Sequence, residues 1–554
     1  MAEFLLKMVN SFTIFSSEKK SDETDNGQIS RLCRPQKAVK AYHSAIRSNC
    51  KSKMKVLPGK FKNWKDKGET IMRFGKSCGF FCAVFWVVVL SAGCSSSSDG
   101  GSTNNDSSGY QTYTAPGSDL VLRIPDTLEV LQEDIEDIHH LADMAPHCYT
   151  TNGGSIDIVL AQACIYYDQY YLYPQYFPSG LNNITNVKAY VEYFQINDRF
   201  TYYFSPEDFM DIMLWYHGDT TSIGFSIEYN GQTVTAQNPP IINGIDPFTR
   251  AWIDGFQIGD KLMEIDGKSI VGMNRDAVDL LFPTNEGETV EITVDRNGVE
   301  IAIDTAAEDN ICLLIDQDIA YLNARTFTQK TGEEIRLGYD ELKQKAGGQI
   351  DKLILDLRHN VGGAISGSLV LVDYLINNDN GTSPMFSISG PGFDDETYYL
   401  GEYTEFNIGD FEKTNFVLLI DENSASASEI VAAVLKHYGT ATLIGETTFG
   451  KGIGESIVEL IDGSGVAIPS LNGLPPSGES YHNIGILPDY PLNAYPSSFD
   501  DDPVLAAAIE YLNTGDITIA ASDQTARKSD KSFAAKSIDP LKEKLHKTHR
   551  NGHY

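Results

Sequence analysis

Metal-binding motifs and long apolar runs are scarce in this chain of 554 residues. Only eight cysteines occur, and no C-x-x-C or Cys/His spacing typical of a zinc site is found from Cys94 onward. The longest apolar run, at 79–90, is shorter than the ~20 residues that a helix needs to cross a bilayer. The sequence therefore predicts neither a zinc site nor a membrane-spanning helix.

Basic charge is also scarce beyond the first segment of the chain. The formal net charge is −33, yet residues 1–93 carry 17 Lys and Arg against 7 Asp and Glu, so the remainder is more acidic still. An acidic surface repels phosphate backbones, and no basic patch offsets it, which excludes nucleic acid as a partner. The apolar fraction of 42% excludes wholesale disorder, and the length predicts several domains.

The apolar run at 79–90 has the features of a signal-peptide core. Arg73 and Lys76 precede it, and L-S-A-G-C, ending at Cys94, supplies a small-residue processing site. This arrangement resembles a bacterial lipoprotein signal, which implies that Cys94 is lipidated and that the protein is anchored in the cell envelope, at the periplasmic or outer-membrane face. An ordinary secretory signal is the alternative. In an oxidising compartment a Cys148–Cys164 disulfide becomes possible.

Apolar periodicity divides the rest of the chain into segments of different type. Strand-like runs at 352–357, 416–420 and 442–444 alternate with periodic helices at 365–376 and 430–438, a pattern typical of a parallel sheet covered by helices. The sequence therefore predicts a multidomain α/β protein. Its segments are a mis-assigned upstream extension at 1–71, a signal peptide at 72–93, a flexible Ser/Gly-rich tether at 94–119, an N-terminal helical domain at 120–220, a β domain at 221–307, a catalytic domain at 308–515 and a disordered tail at 516–554.

The β domain at 221–307 contains D-G-F-Q-I-G-D-K-L-M-E-I-D-G at 254–267. This pattern resembles a PDZ domain, in which an extended peptide adds to a sheet edge and loop amides receive its terminal carboxylate. The resemblance implies a tail-binding loop made of Ser222, Ile223, Gly224 and Phe225. The alternative is a small β domain that uses its glycines only for turns.

Ser426 lies at a predicted turn from a strand to a helix, within S-A-S-A-S-E at 424–429. A helix N-terminus offers free amides to a developing oxyanion, so this position suits a nucleophile. The alternative is a capping box in which Ser426 and Glu429 only stabilise the helix. A phosphate-binding loop at 445–451 is disfavoured, because Gly452 stands where a Ser or Thr is needed.

Several segments together match one family of enzymes. They are R-F-T-Y-Y-F-S-P-E-D-F at 199–209, D-L-R-H-N-V-G-G at 356–363, S-A-S-A-S-E at 424–429, F-G-K-G at 449–452 and N-I-G-I-L-P-D at 483–489. Their order resembles that of the C-terminal processing peptidases, also called tail-specific proteases. The resemblance implies a ClpP/crotonase-like α/β catalytic core and a serine endopeptidase that needs no metal or cofactor.

The resemblance also implies a role for individual residues. Ser426 corresponds to the nucleophile and Lys451 to the general base, while the amides of Gly363 and Ala427 correspond to the oxyanion hole. The family carries Gln where this chain has Glu455. A carboxylate near Lys451 favours the charged lysine and opposes its use as a base, so Glu455 is expected to be protonated, to point away or to lower activity.

The sequence thus predicts a lipid-anchored serine endopeptidase whose partners are unfolded or tail-bearing proteins. The other hypothesis is a catalytically inactive, PDZ-containing binding lipoprotein, which Glu455 would favour. Among the histidines, His359 is the one that falls inside a matching motif, and it occupies a variable position there.

Overall fold

The computed structural model describes residues 102–518 except for 107–108, 117, 146–154, 182–183, 220, 316–317, 377–380, 404–407, 409–414 and 497. The predicted extension, signal peptide, lipidation residue Cys94 and most of the tail after 516 therefore lie outside the described residues. All described residues belong to one compact unit. Within it, no helix combines the length and apolar character required to traverse a bilayer.

The first part of the described chain is a small sheet surrounded by helices. Its elements are β1 (Ser102–Asp106), β2 (Tyr110–Thr114), β3 (Leu122–Pro125), α1 (Gln132–Met144), β4 (Ile156–Asp157), α2 (Ile158–Tyr170), α3 (Val187–Gln195), β5 (Tyr202–Phe204) and α4 (Pro206–His217). Ser205 and Asp208 form a capping box at the start of α4, and Gly218 ends the helix in a left-handed conformation.

The predicted flexible tether at 94–119 is wrong for its second half. Strands β1 and β2 pair in an antiparallel hairpin, and β2 pairs with β3. Tyr113 is 2% exposed, and Arg123 lies over the ring of Tyr110 at 4.0 Å. Two tyrosines and several threonines give this Ser/Gly-rich stretch enough apolar and β-branched surface to form strands.

Tyrosine packing builds the core of this part. Tyr167 is fully buried, stacks on Phe194 with ring centroids 4.5 Å apart, and meets Tyr190 edge to face at 5.2 Å. Cys164 is disulfide-bonded, whereas Cys148 lies outside the described residues, so the predicted pairing stays a prediction.

The predicted boundary at 220 does not separate two cores. Val458, Val466 and Ile468 of the predicted catalytic domain are buried in the same cluster as the tyrosines. Strand β5 also pairs with a strand of that later part, through Gly465↔Phe204 and Ala467↔Tyr202. The helical segment and the catalytic part are therefore packed as one body at this point.

Residues 225–307 form a six-stranded antiparallel sheet. Its elements are β6 (Phe225–Glu228), β7 (Ile241–Ile245), α5 (Arg250–Ile253), β8 (Lys261–Ile265), β9 (Lys268–Ser269), α6 (Arg275–Asp279), β10 (Glu288–Arg296) and β11 (Val299–Ala307). The strand order is β11-β10-β8-β7-β6, with β9 beside β8, so β6 is an edge strand. Its identity as a PDZ domain stays a prediction.

The remaining chain alternates strands and helices. In order these are β12 (Asn310–Ile315), β13 (Ile319–Ala324), α7 (Thr331–Lys345), β14 (Lys352–Asp356), α8 (Ile365–Leu375), β15 (Pro384–Ser389), β16 (Glu396–Tyr399), β17 (Phe416–Ile420), α9 (Ala427–Tyr438), β18 (Thr442–Gly445), β19 (Ile453–Glu459), β20 (Gly465–Leu474), β21 (Tyr490–Pro491) and α10 (Pro503–Thr514).

Two sheets position the candidate site. In one, the order is β12-β13-β14-β17-β18-β21, and every pair from β13 onward is parallel. In the other, the order is β16-β15-β20-β19, with β5 beside β20. The first sheet carries Ser426 after β17, and the second carries Lys451 just before β19. The predicted α/β character of this part is confirmed.

Candidate active site

Ser426 is held in a strained turn between β17 and α9. Its φ is 55° and its ψ is −114°, a conformation that side chains other than glycine rarely adopt. Two hydrogen bonds to the segment after the neighbouring strand hold the turn in place. The buried Ser424 hydroxyl donates to the Leu357 carbonyl at 2.7 Å, and Ala425 N–H donates to the Asn360 carbonyl at 3.0 Å. Strain of this kind is common where a side chain is presented for reaction.

Two backbone amides near Ser426 have no acceptor among the described residues. They are those of Gly363 and Ala427, the two predicted oxyanion donors. Ala427 is the first residue of α9, so the positive end of the helix dipole points the same way. The loop that contains Gly362 and Gly363, called the glycine loop here, approaches the serine closely. A Cβ on Gly362 would lie 2.7 Å from the Ser426 Cβ.

The glycine loop has little freedom to move. Gly362 N–H donates to Asn360 Oδ1 at 2.9 Å, and Asn360 Nδ2 donates to the Ala324 carbonyl at 2.7 Å. Gly363 has a φ of 135°, and a Cβ there would overlap the Phe327 carbonyl oxygen. This backbone therefore requires glycine at 363.

Lys451 is buried beside the serine. Its exposure is 2%, and its side chain lines the same small cavity as Ser426. Gly450 has a φ of 89°, and a Cβ there would lie 2.9 Å from the Ile484 amide nitrogen. The glycines on either side of the lysine thus allow the backbone to pack closely.

Glu429 links the serine turn to the lysine loop. Its Oε2 accepts the amide of Ser426 at 2.9 Å and that of Lys451 at 2.6 Å. Its Oε1 accepts Gly450 N–H and the Thr448 hydroxyl, both at 2.6 Å. Burial raises the pKa of Glu429 above its ordinary value, and the hydrogen bonds that it accepts oppose this only in part. The sequence indicated Glu429 only as a helix cap.

Glu455 points towards Lys451. Its Oε1 lies 2.8 Å from Lys451 Nζ, and the two side chains are 10% and 2% exposed. The expectation that Glu455 points away is therefore wrong.

Two residues beside Lys451 were not predicted. The Phe200 ring centroid lies 5.0 Å from Lys451 Nζ, and His482 Nδ1 accepts Gly452 N–H at 3.2 Å. Burial lowers the pKa of His482, and the charges of Arg199 and Lys451 lower it further. Both residues lie in or next to motifs that the sequence singled out, R-F-T-Y-Y-F and N-I-G-I-L-P-D, but neither motif gave them a role.

His359 pairs with Asp421 and does not line the cavity shared by Ser426 and Lys451. Its Nδ1 lies 2.5 Å from Asp421 Oδ2, and its Nε2 lies 3.3 Å from Asn423 Nδ2. Burial alone would raise the pKa of Asp421, but the hydrogen bond and charge of His359 outweigh burial and lower it. His359 is not among the residues that line the cavity shared by Ser426 and Lys451.

The four residues of the predicted tail-binding loop lie at the start of the edge strand β6. Gly224 has a φ of 97°, and a Cβ there would overlap the side chain of Thr249. The Thr249 hydroxyl donates to the Asp246 carbonyl at 2.7 Å, which fixes the support under the loop. Phe225 contacts Phe256 and Phe282, with ring centroids 5.2 and 5.8 Å apart. The loop formed by Ser222, Ile223, Gly224 and Phe225 thus borders an aromatic surface.

In the part of the chain that the structure describes, no group of three or more His, Cys, Asp or Glu residues is positioned to hold a metal ion.

Comparison with known proteins identifies relatives over the region that holds this site. The family model for peptidase family S41 matches residues 318–492. The carboxy-terminal-processing protease of Bartonella bacilliformis is 31% identical over 272 residues, which cover 47% of this chain and 60% of that protein. The carboxyl-terminal-processing protease of a Picosynechococcus species is 25% identical over 346 residues, 60% of this chain and 79% of that protein.

Among solved structures, a photosystem II D1 C-terminal processing protease overlaps 68% of this chain and 98% of its own, with 20% identity and a TM-score of 0.36. The chain therefore contains a domain of peptidase family S41, a family of serine-type peptidases, at 318–492, and this domain holds Ser426, Lys451 and Gly363.

Proposed function

We propose that this protein is a serine endopeptidase that binds protein C-terminal tails and cleaves them through an acyl-enzyme on Ser426. The observation that carries the proposal is that Ser426 and Lys451 line one small cavity, beside two backbone amides that have no acceptor in the described part of the chain. A nucleophile, a base and an oxyanion site within one cavity are the parts that acyl transfer requires.

The chemistry would proceed in two halves. Lys451 as a neutral amine takes the Ser426 proton while Oγ attacks the scissile carbonyl, and the amides of Gly363 and Ala427 receive the oxyanion. Collapse of the tetrahedral intermediate breaks the peptide bond, and the leaving amine takes the proton from Lys451. Lys451 then deprotonates a water molecule, which attacks the ester, and Lys451 returns this proton to Ser426 Oγ as the new carboxyl end leaves.

The side chains around this small cavity favour an apolar residue next to the cleaved bond. Beside Ser426 and Lys451 its lining is mainly aliphatic and aromatic, contributed by Ile365, Phe386, Ile388, Ile430 and Leu471. Such a lining stabilises apolar atoms and offers no partner to a charged side chain. An unfolded protein with aliphatic residues near its end is a substrate of this chemistry.

Tail recognition would take place at the edge of the sheet formed by 225–307. Strand β6 has a partner only on one side, which leaves an edge that an extended peptide can join. The amides of Ile223 and Gly224 donate to no backbone acceptor among the described residues, so they are free to receive a terminal carboxylate. Phe225 and Phe282 provide apolar contact for the last side chain.

We further propose that the protein is anchored in the cell envelope through a lipid on Cys94. The support is the basic, apolar and small-residue order of 72–94. Mass spectrometry of the N-terminal peptide of membrane-extracted protein tests this proposal, because a diacylglyceryl-modified Cys94 is expected and an unmodified N-terminus contradicts it.

The inactive binding lipoprotein is not favoured. The family match covers the catalytic region, and Ser426, Lys451, Gly363 and Ala427 are all present there. The test of activity is cleavage of a reduced, carboxymethylated protein with an apolar C-terminus. We expect Ser426→Ala to lower the rate by ~1,000-fold or more, as loss of a serine nucleophile does elsewhere. Unchanged cleavage by this variant would contradict the proposal.

A further inference from the structure

The contact between Lys451 and Glu455 affects whether Lys451 is neutral or charged. The two side chains meet at 2.8 Å and are 2% and 10% exposed, so water screens their attraction little. A general base must be neutral to accept a proton, whereas an adjacent carboxylate stabilises the ammonium form. The contact therefore opposes the role that the proposed mechanism gives to Lys451.

Other groups around the lysine act in both directions. The π face of Phe200, 5.0 Å from Nζ, also favours the cation. His482 and Arg199 repel it when charged, although burial lowers the pKa of His482 and keeps that ring mainly neutral. Tyr481 also lines the cavity, and burial raises its pKa far above its ordinary value, so it adds no charge.

Further carboxyl groups lie near the pair. Glu429 accepts the Lys451 amide at 2.6 Å, so a second carboxyl group lies close to the lysine backbone. Burial raises the pKa of Tyr173, and the charges of Asp198 and Glu455 raise it further, which places both carboxylates near that ring. The carboxyl groups of Glu455 and Glu429 thus favour the charged form of Lys451, whereas burial of the amine opposes it.

The backbone supports this orientation of Glu455. The pairing of β19 with β20 shifts register between Gly454 and Glu455, and bulges of this kind next to active sites redirect side chains. The residue opposite Glu455 is Pro469, which has no N–H to donate. The direction of the Glu455 side chain is thus a property of the strand.

We propose that Glu455 is a positioning residue that restrains catalysis by holding Lys451 as an ammonium ion, so that the neutral base forms only at alkaline pH. The inference rests on the proposed function of Ser426 and Lys451. The proton that Lys451 must lose passes to solvent, and the carboxylate of Glu455 makes that loss less favourable. Activity at neutral pH is accordingly only a fraction of what the site can support.

The test compares wild type with Glu455→Gln, which keeps the shape of the side chain and removes its charge. The readout is the pH profile of kcat/KM on an unfolded substrate, together with the pH dependence of Ser426 labelling by a fluorophosphonate. We expect the acid limb of both profiles to move to lower pH, with activity at pH 7 rising about tenfold for each unit of movement. A merely structural role would lower activity at every pH and leave the limb in place.

Glu479→Gln is the matched control, because Glu479 is exposed and its loss changes net charge equally. Its profile is expected to follow that of wild type. Should Glu455→Gln fail to fold, Glu455→Asp withdraws the carboxylate by one methylene and is expected to shift the limb in the same direction by less. An acid limb that stays in place or moves to higher pH in the folded variant overturns the inference.

Ser426→Ala in the same assay distinguishes failure of the proposed peptidase function from failure of the proposed restraint by Glu455. If this variant is inactive while Glu455→Gln shifts the limb upward, the peptidase function stands and the restraint by Glu455 is wrong. If Ser426→Ala retains activity, both proposals fall together.

Discussion

The amides of Ser426 and Lys451 donate to the same oxygen atom, Glu429 Oε2, at 2.9 and 2.6 Å. The two residues are 25 positions apart in the chain and belong to different sheets, yet one buried carboxyl group fixes both backbones. The relative position of Ser426 and Lys451 therefore depends on a third side chain, which accepts both of their backbone amides.

Replacement of Glu429 by Gln is expected to lower kcat about 10-fold to 100-fold with little change in KM. The side-chain NH₂ of Gln would face N–H or O–H donors that Glu429 now accepts, so the loop that carries Lys451 would shift. The free energy of unfolding is expected to fall by about 1–3 kcal/mol for the same reason. Steady-state kinetics and denaturant unfolding check these values, with Glu479→Gln as control. A variant with normal kcat would show that Glu429 does not align the site.

The Gly363 amide can be tested by adding a single methyl group. In Gly363→Ala the new Cβ would overlap the Phe327 carbonyl oxygen, so the loop must move and the oxyanion donor with it. We expect kcat to fall ~100-fold to 1,000-fold, the range for loss of one oxyanion donor. Gly478→Ala is the control, since Gly478 also has a positive φ of 73° but has nothing within 4 Å of the new Cβ. Equal activity of the two variants would contradict the assignment.

Glu446 predicts a pH dependence of stability. Burial raises its pKa to about 7, and the charges of Glu422 and Asp421 add to the effect. A carboxyl group with a raised pKa in the folded state binds its proton more tightly there, so stability falls as pH rises from about 4.5 to about 7. In Glu446→Gln this loss is absent. Thermal unfolding at pH 5 and pH 8 should therefore show a smaller difference in Tm for the variant than for wild type. An unchanged difference would show that Glu446 does not contribute.

The tail-binding loop is tested through Gly224. In Gly224→Ala the Cβ would overlap Thr249 and displace the amides at the start of β6. We expect KM for a tail-bearing protein to rise, while cleavage of a peptide too short to reach this loop is unaffected. Gly255→Ala is the matched control, because Gly255 has a φ of 82° and open space around it. Equal KM values for the two variants would exclude this loop from recognition.

Local patterns predicted the elements that carry the nucleophile. Strand 416–420 was found as observed, and the helix after it begins at Ala427, three residues before the predicted start. The apolar run of β17 and the S-x-x-E sequence depend only on residues close together in the chain, so they predict local structure well.

Long-range contacts could not be predicted. Phe200 and Lys451 meet across 251 positions, and Val458 shares a core with Tyr167 although they were assigned to different domains. Periodicity reports which face of an element is apolar but not which distant element covers it. The direction of the Glu455 side chain depends on the register shift opposite Pro469, which leaves no pattern in the sequence.

The central claim is that Ser426 is a nucleophile activated by Lys451, and intact-mass measurement after treatment with a fluorophosphonate tests it most directly. Wild type is expected to gain one adduct, located on Ser426 by peptide mapping, while Ser426→Ala gains none and Lys451→Met reacts far more slowly. Absence of an adduct on folded wild-type protein at alkaline pH, or equal labelling of all three proteins, would contradict the account.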